Sequence, residues 1–445
     1  MQRADSEDGG AGAVLTDVRE EPRKLRPVVV AAAVGSFVEY YDFAVYGALA
    51  AILSVVFFPP GNPTAALLST FAIFAVAFFV RPLGGLLWGH LGDKIGRQRT
   101  LATVIILMAV GTVGIGLLPS YAAIGLAAPI LVVALRCVQG FSAGGEIMGA
   151  STFVAEYAPE GRRGFLTSFI QSATTAALLT GAAIAFLLTS IFPEDAVTSW
   201  GWRIPFLLAG PIGIIGLYIR LRLEDTPHFK AIQEGHEVTE NPVRETLSHR
   251  ENYRQIVLAA GVGVVQFVAF YMLLTYMPTY LTEELGFQSW ESFLSLTIAT
   301  AFLMVTIPFA GIVSDRIGRR TTLMVATATL LVLTYPCFLL ISQGTFLAAV
   351  VGQMLMAIPA SATAANLLAA QTEMFPTRIR YTAYAIAMNV GVALFGGTAP
   401  FVATYLISAT GSNLAPAFYL MFAAALSLIT ALVMTETAKE PLRDV

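Results

Sequence analysis

The chain has 445 residues, of which 56% are hydrophobic and only 12% charged, with a formal net charge of −3 and a mean hydropathy of +0.72. A soluble domain carries about 25% charged residues, so this composition excludes a soluble fold. The two cysteines, Cys137 and Cys337, lie inside apolar runs, which argues against a disulfide framework and against a metal site. We therefore expect a membrane protein without a metal or a cofactor.

A polar N-terminal segment and twelve apolar runs follow in chain order. Residues 1–24 contain no apolar stretch of the kind found in a cleavable signal peptide, so we predict a disordered tail. A membrane-spanning helix needs about 20 apolar residues, and twelve segments meet this requirement. They are residues 28–57, 65–92, 99–118, 123–155, 164–192, 203–221, 255–282, 292–315, 321–341, 345–373, 381–409 and 415–435.

The connectors divide these segments into two groups of six. Most are short, but residues 222–254 form one long polar connector between the sixth and seventh segments. The sequence thus predicts an all-α membrane protein whose twelve transmembrane helices form two six-helix halves. We place the halves at residues 25–221 and 255–436, with a second polar tail at 437–445.

Basic residues are distributed unevenly among the connectors. Of the 26 lysines and arginines, all except Arg81, Arg136 and Arg203 lie in or beside the tails, in or beside the central connector, or in and beside the loops after the second, fourth, eighth and tenth segments. Cytoplasmic loops of membrane proteins carry such an excess of Lys and Arg. We therefore expect a multi-pass protein of the plasma (inner) membrane with both termini in the cytoplasm.

A short charged turn occurs once in each predicted half. It reads GHLGDKIGRQR from Gly89 to Arg99 and GIVSDRIGRR from Gly311 to Arg320. A second, weaker repeat places an acid and two arginines after the fourth and tenth segments. These residues are Glu156, Arg162 and Arg163, and Glu373, Arg378 and Arg380. Repetition at half the chain length is typical of transporters built from two similar halves, which bind substrate between them near the midplane.

Five ionisable side chains lie inside the predicted spans: Glu39, Asp42, Arg81, Arg136 and Glu146. An ionised side chain at mid-bilayer costs roughly 2.5–3.5 kcal/mol on insertion scales. Glu39 and Asp42 are three residues apart and so share one helix face. A desolvated carboxylate takes up a proton, whereas one that faces an arginine stays ionised. Three acids and two bases therefore fit proton coupling at the acids and a substrate role for the arginines; fixed ion pairs that orient the helices are the alternative.

Uncharged polar residues within the spans are candidates for the rest of a substrate pocket. Gln139 lies on the same helix face as Arg136, and most of the others lie in the second half. Each of them could instead bridge two helices, as polar residues in membrane bundles often do. The candidates are Gln139, Gln171, Gln266, Tyr271, Thr275, Asn366 and Asn389.

Two patterns bear on enzymatic activity. Residues 140–144 (GFSAG) match the hydrolase pattern G-x-S-x-G, which requires a strand-to-helix turn, but here they lie inside an apolar run. Glycines four residues apart in such a helix allow a neighbouring helix to approach closely. The chain also has no P-loop and thus no sign of direct ATP coupling. We expect neither an enzyme nor a nucleic-acid partner.

The two charged turns resemble the signature loops of the major facilitator superfamily, G-x-x-x-D-[RK]-x-G-R-[RK]-[RK], although Gln98 and Thr321 each replace one base. Further segments resemble the metabolite:proton symporter family within it. They are residues 39–43 (EYYDF), 81–85 (RPLGG), 139–146 (QGFSAGGE), 201–206 (GWRIPF) and 395–400 (FGGTAP). The resemblance implies import of a small organic solute with a proton, and it places Tyr40 and Tyr41 of the first motif at the substrate.

The resemblance also assigns the charged turns to a conformational latch. An acid in such a turn can face a positive helix terminus or an arginine of the other half. The latch residues are Gly89, Asp93, Gly96, Arg97, Asp315, Gly318 and Arg319.

The substrate branch rests on two segments. Residues 271–278 (YMLLTYMP) and 149–157 (GASTFVAEY) look most like the proline/betaine osmolyte branch. The alternative substrates are a di- or tricarboxylate or a shikimate-like acid. An uncoupled or exporting carrier and a membrane solute sensor are the other functional alternatives, although a sensor needs an output domain, for which residues 222–254 are too short. The sequence makes no prediction of an oligomeric partner.

Overall fold

The computed structural model describes residues 22–95, 97–222, 250–376 and 379–442. Every regular element in these ranges is a helix, as expected for apolar segments that must satisfy their own backbone hydrogen bonds in lipid. The first six transmembrane helices are α1 (Pro22–Ala48, continued by Ala50–Phe57), α2 (Pro63–Ile95), α3 (Arg97–Leu117), α4 (Ala127–Ser142 and Glu146–Tyr157), α5 (Arg163–Ile191) and α6 (Arg203–Arg222). A short helix, Tyr121–Ile124, precedes α4, and a bent segment, Glu194–Ala196 with Val197–Gly201, precedes α6.

The second group of six helices contains wide, π-helical turns. The helices are α7 (Arg250–Tyr271, followed by Met272–Tyr276, Met277–Thr279 and Tyr280–Glu284), α8 (Ser289–Ile317), α9 (Arg319–Ile341), α10 (Phe346–Met374), α11 (Arg380–Gly391, Val392–Gly396 and Ala399–Thr410) and α12 (Ala415–Val433). The π-helical turns are Met272–Tyr276, Tyr280–Glu284 and Val392–Gly396. Such turns are frequent at functional sites.

The helices account for all twelve predicted spans. Ten are long and apolar enough to cross a membrane by themselves. The segments Glu194–Gly201 and Arg203–Tyr218, which meet at an angle of 45°, together supply another span. The remaining one contains the shorter apolar helix Ala102–Leu117.

The two groups of six helices have the same internal packing. In the first, α2 packs on α4, α3 on α6 and α1 on α5; in the second, α8 packs on α10, α9 on α12 and α7 on α11. The two groups meet most extensively where α5 lies along α8, and also where α2 meets α11. Each group is therefore one six-helix half.

Because the number of spans is even, the start of α1 and the end of α12 lie at the same end of the bundle, here called the terminal end. The turns between α4 and α5, between α8 and α9 and between α10 and α11 lie at this end, and the opposite end is called the far end. Most of the predicted tail at 1–24 and of the central connector at 222–254, and part of the tail at 437–445, lie outside the described residues. The predicted domain boundaries therefore stay predictions.

Candidate functional site

Two buried ion pairs join α1 to its neighbours in the first half. Glu39 Oε1 lies 2.5 Å from Arg81 Nη2 of α2, and Asp42 Oδ2 lies 3.1 Å from Arg136 Nη1 of α4. All four side chains are 3% exposed or less. Because the two acids are three residues apart on α1, they face the same side and reach two different helices. The structure thus brings together four of the five predicted membrane-embedded charges.

The Asp42–Arg136 pair is enclosed by its own half. Asp42 Oδ1 accepts hydrogen bonds from Thr112 Oγ1 of α3, at 2.7 Å, and from Gln139 Nε2. The Arg136 guanidinium lies over three aromatic rings, with centroids 4.5 to 5.3 Å away, where cation–π attraction compensates for lost solvation. The rings are those of Phe43, Tyr46 and Phe74. Gln139, predicted to bind substrate, is here a partner of Asp42.

The Glu39–Arg81 pair lies at the boundary with the second half. The Arg81 guanidinium is 5.7 Å from the centroid of the Phe78 ring. The Phe78 ring also contacts Tyr271 of α7 in the second half, with 5.2 Å between the two ring centroids. Tyr40 packs edge-on against Phe270 of α7 at 6.0 Å. Charged groups of the first half therefore lie directly behind the aromatic contact between the halves.

Several polar atoms at this boundary are available to a ligand. Within the described residues, neither Nε nor Nη1 of Arg81 meets an acceptor at hydrogen-bond geometry, and the buried Tyr271 hydroxyl also has no such partner. The Tyr40 hydroxyl interacts with both Arg81 and Tyr271, so a ligand here would compete with Tyr40 for these two groups. A carboxylate that entered between the halves could accept from Arg81 and from the two phenols, which is the chemistry expected of an arginine at a carboxylate site.

Of four other predicted pocket residues, Thr275 and Asn389 contact the opposite half, whereas Gln266 bonds within its own half. Thr275 packs its methyl group on Gly47 of α1, so it also lies on the boundary between the halves. The Asn389 amide donates to the Gly144 carbonyl of the other half at 3.1 Å. Gln266 accepts a hydrogen bond from Thr363 within the second half at 2.7 Å. Gln171 is buried on α5.

Two predicted pocket residues lie elsewhere in the bundle. The Tyr41 hydroxyl donates to the Pro205 carbonyl of α6 at 2.8 Å, which fixes it inside the first half. Asn366 accepts from Ser314 and donates to the Arg319 carbonyl, both at the terminal end. The structure does not bring either residue to the Glu39–Arg81 pair.

Part of the predicted site lies outside the described residues. Gly96 is not described, and neither are the side chains of the first charged turn, which begins at Gly89 and includes Asp93 and Arg97. The side chain of Glu146, the third predicted acid, is likewise outside them.

The second charged turn does join the two halves. Asp315 accepts hydrogen bonds from the backbone N–H groups of Gly164 and Phe165, both at 2.8 Å, at the N-terminus of α5. An acid at this position is favoured because a helix N-terminus carries a partial positive charge and free N–H donors. Arg319 holds Asp315 at 2.8 Å and forms two hydrogen bonds with Glu373 of α10, both at 3.1 Å.

Two reciprocal ion pairs reinforce this contact between the halves. Arg380, at the start of α11, lies 2.7 Å from Glu156 at the end of α4. Arg163, at the start of α5, lies 3.8 Å from Glu373 at the end of α10. Each acid thus pairs with the arginine of the opposite half, which explains why this motif occurs once in each half of the sequence.

The segment after α12 adds residues that the sequence did not reveal. Glu436 accepts from the backbone N–H groups of Arg319 and Arg320, at 2.7 and 3.1 Å, and so caps α9. The Thr437 hydroxyl donates to Glu373 at 2.7 Å. Gly318 permits this contact, since its φ of 105° suits glycine and a Cβ there would overlap the Glu436 carboxylate.

These features are those of a membrane transporter with the major facilitator fold. A solved structure with that fold, the proton:xylose symporter XylE bound to 6-bromo-6-deoxy-D-glucose, superimposes with a TM-score of 0.76 at 18% identity and covers 94% of this chain and 97% of that one. The inward-open xylose transporter XylE from E. coli superimposes with a TM-score of 0.73 at 19% identity and covers 94% of this chain and 98% of that one. The prediction of twelve helices in two halves is confirmed.

The sequence matches the family described as "Sugar (and other) transporter" over residues 28–245 and 230–445, and the chain belongs to that family. The "Proline/betaine transporter" of Salmonella typhimurium is 39% identical over 432 residues, which cover 94% of this chain and 85% of that protein. The "Ectoine/proline transporter ProP" of Corynebacterium glutamicum is 38% identical over 434 residues, 95% of this chain and 86% of that protein. The protein is therefore a transporter and not an enzyme, as predicted.

Proposed function

We propose that this protein imports a small zwitterionic osmolyte, of the proline or glycine betaine type, together with a proton across the plasma (inner) membrane. One observation carries the proposal: the Glu39–Arg81 ion pair is buried at the boundary between the halves, behind Tyr271 and Phe78. A transporter that alternates between two open states exposes this boundary, and with it one anionic and one cationic group.

A zwitterion fits such a pair better than a di- or tricarboxylate does. Removal of one partner from a buried ion pair costs about 3–5 kcal/mol, because a charge is left uncompensated. A zwitterion avoids this penalty, since its carboxylate can bind Arg81 while its ammonium group binds Glu39. A dicarboxylate would instead bring further negative charge beside Glu39. The names of the relatives from Salmonella typhimurium and Corynebacterium glutamicum support the same choice.

Asp42 is the proton carrier in this mechanism. It is enclosed in the first half, away from the solute, yet lies on the same face of α1 as Glu39. Protonation of Asp42 removes the charge that holds Arg136, so the packing of α1 against α4 changes with proton binding. Glu146 stays a predicted third acid.

The terminal end faces the cytoplasm in this proposal, because the lysines and arginines outside the spans are concentrated there. The contact of Asp315 with α5 then acts as a latch that stabilises the state closed to the cytoplasm. Asp93 is assigned the corresponding role in the first half, by its position in the repeated turn.

Asp315→Asn is expected to slow transport more than it weakens solute binding. Asparagine keeps one acceptor oxygen but has no negative charge to bind the two N–H groups and Arg319. Hydrogen bonds to charged groups contribute about 1.5–3 kcal/mol each. We expect maximal exchange to fall by roughly tenfold while the equilibrium dissociation constant changes by less than about twofold. Counterflow and equilibrium binding measure the two quantities, with Glu160→Gln, an exposed acid at the same end, as control. Weaker binding with normal turnover would exclude the latch.

Uptake by proteoliposomes tests the proposed function. Purified protein is reconstituted and given radiolabelled L-proline, glycine betaine or succinate, with and without an imposed inward proton gradient. We expect proline or betaine to accumulate above the external concentration only with the gradient, and succinate to be excluded. Accumulation of succinate instead would support the carboxylate alternative. Uptake independent of the gradient would indicate an uncoupled carrier, and binding without uptake a sensor.

A further inference from the structure

Helix α4 is interrupted at the level of the site. It stops at Ser142 and resumes at Glu146, so residues 143–145 are not helical. Carbonyl groups at the end of a helical segment have no partner within that segment and accept from donors elsewhere. The Gly145 carbonyl, which begins the second segment, also accepts from the Gly149 N–H at 3.3 Å. The sequence here is Ala143-Gly144-Gly145, and no proline is present.

Donors from both halves bind these three carbonyl groups in turn. The Ala143 carbonyl accepts from Arg81 Nη2 at 2.9 Å, within the first half. The next two accept from α11 of the second half: Gly144 from Asn389 Nδ2 at 3.1 Å and Gly145 from the Tyr381 hydroxyl at 3.2 Å. Consecutive carbonyl groups thus connect the arginine of the site to the opposite half.

The first part of this connection is tightly packed. The Nη2 group of Arg81 donates both to Glu39 and to the Ala143 carbonyl, so a single nitrogen joins α1, α2 and the interruption. Glycines hold α2 against α4: a Cβ at Gly144 would overlap the backbone of Gly85 and Arg81. The Arg81 side chain and the peptide groups of residues 143–145 therefore share one closely packed contact.

From this geometry we infer that the α4 interruption couples solute binding at Arg81 to the contact between α4 and α11 that closes the terminal end. Asn389 and Tyr381 are positioning residues of this relay. When Arg81 turns toward the solute carboxylate, the Ala143 carbonyl loses its donor and the adjoining peptide groups reorient, which the two glycines allow. The carbonyl groups then turn away from α11, and the halves separate at the terminal end. The inference rests on the proposed function for the solute and for the binding of its carboxylate at Arg81.

The test compares two hydroxyl groups that cross the same helix contact. Tyr381→Phe removes the side-chain donor to the Gly145 carbonyl and leaves the backbone donor, the Gly149 N–H, in place. The position is partly exposed, so phenylalanine is readily accommodated. The matched control is Tyr384→Phe, which removes a hydroxyl that contacts the Ser151 side chain of α4 at 3.3 Å, beyond the interruption. Both variants lose a hydroxyl contact between α4 and α11, but only the first loses the contact with the Gly145 carbonyl of the interruption.

Spin labels report opening of the terminal end. The exposed positions Glu160 and Arg316 are replaced by cysteine in a protein that carries Cys137→Ala and Cys337→Ala. Pulsed electron paramagnetic resonance then gives the distances between the halves, with and without saturating L-proline or glycine betaine. In the protein with native Tyr381, we expect either solute to increase the open population. In Tyr381→Phe we expect the increase of the open population on solute addition to fall at least about fivefold, at the lower limit of typical allosteric coupling. In Tyr384→Phe we expect this increase to be retained.

The Arg81→Lys variant separates the relay from the identity of the solute. Lysine cannot reproduce the donors of Arg81, so without any solute this variant is expected to shift the distances toward opening, and Tyr381→Phe is expected to add little to that shift. If neither solute binds but this non-additive shift is found, the proposed function fails and the relay stands. If Tyr381→Phe responds to solute as the native protein does, if Tyr384→Phe has an equal effect, or if the Arg81 and Tyr381 effects are additive, the relay is wrong.

Discussion

Asp42→Asn is expected to abolish proton-driven accumulation of the solute while exchange of solute across the membrane continues. Asparagine has nearly the shape of a protonated aspartic acid, and it can still accept from Thr112 and Gln139, which bond Asp42 in the native protein. The variant therefore resembles the proton-loaded transporter and cannot release a proton. Counterflow between labelled and unlabelled solute needs no net proton movement, so it should remain.

Two further variants show whether the effect belongs to the ionisable group. Thr112→Val removes a hydrogen bond to Asp42 but leaves the carboxyl group, so accumulation should persist. Glu39→Gln should lower solute affinity, because the side chain that binds the ammonium group of the solute loses its negative charge. Accumulation against the gradient is measured in proteoliposomes with an imposed pH difference for each variant. If Asp42→Asn still accumulates solute, Asp42 does not carry the coupled proton, and if Glu39→Gln does so as well, neither carboxylate carries it.

The sequence predicted the charged residues of the site but not their pairing. The spacing of Glu39 and Asp42 places them on one face of α1. Which acid meets which arginine also depends on how each helix is rotated about its axis, and packing between helices sets that rotation. The enclosure of Arg136 by three rings, and the position of Arg81 at the boundary between the halves, became visible only in the structure.

Uncharged polar residues are harder to place from sequence. Asn366 and Asn389 both lie in apolar helices of the second half, yet one bonds the terminal end and the other reaches α4 of the first half. A polar residue that faces a pocket and one that bridges two helices leave the same pattern in a sequence. Tyr41, which bonds α6, illustrates the same ambiguity.

Long-range contacts explain the remaining differences. Residues 123–155 read as one apolar helix, and the glycines at 140 and 144 indicated close packing, which the structure has. The interruption at 143–145 was not predicted, because its carbonyl groups depend on donors from α11. Glu436 likewise caps a helix 117 residues earlier in the chain, and no local pattern marks such a partner.

Arg81→Lys is expected to lower solute affinity at least about tenfold, or about 1.4 kcal/mol, in a protein that remains folded. The guanidinium of Arg81 holds Glu39 and the Ala143 carbonyl through Nη2 and has Nε and Nη1 left for a ligand. A planar group with five donors can serve all of these partners at once, whereas an ammonium group with three donors on a flexible chain cannot. The loss should therefore appear in binding and not in folding.

Arg136→Lys is the matched comparison, because Arg136 is equally buried and equally paired but lies inside the first half. Its available donors lie among the rings of Phe43, Tyr46 and Phe74, and the Phe74 ring separates them from Tyr271 of the second half. We expect its apparent affinity to stay within about twofold, less than about 0.5 kcal/mol, although thermal stability should fall as the contacts with the rings weaken. Equilibrium binding and thermal unfolding in detergent separate the two quantities for each variant. If the solute affinity of both lysine variants stays within about twofold of that of the native protein, neither arginine binds the substrate. Both ion pairs are then structural supports of α1.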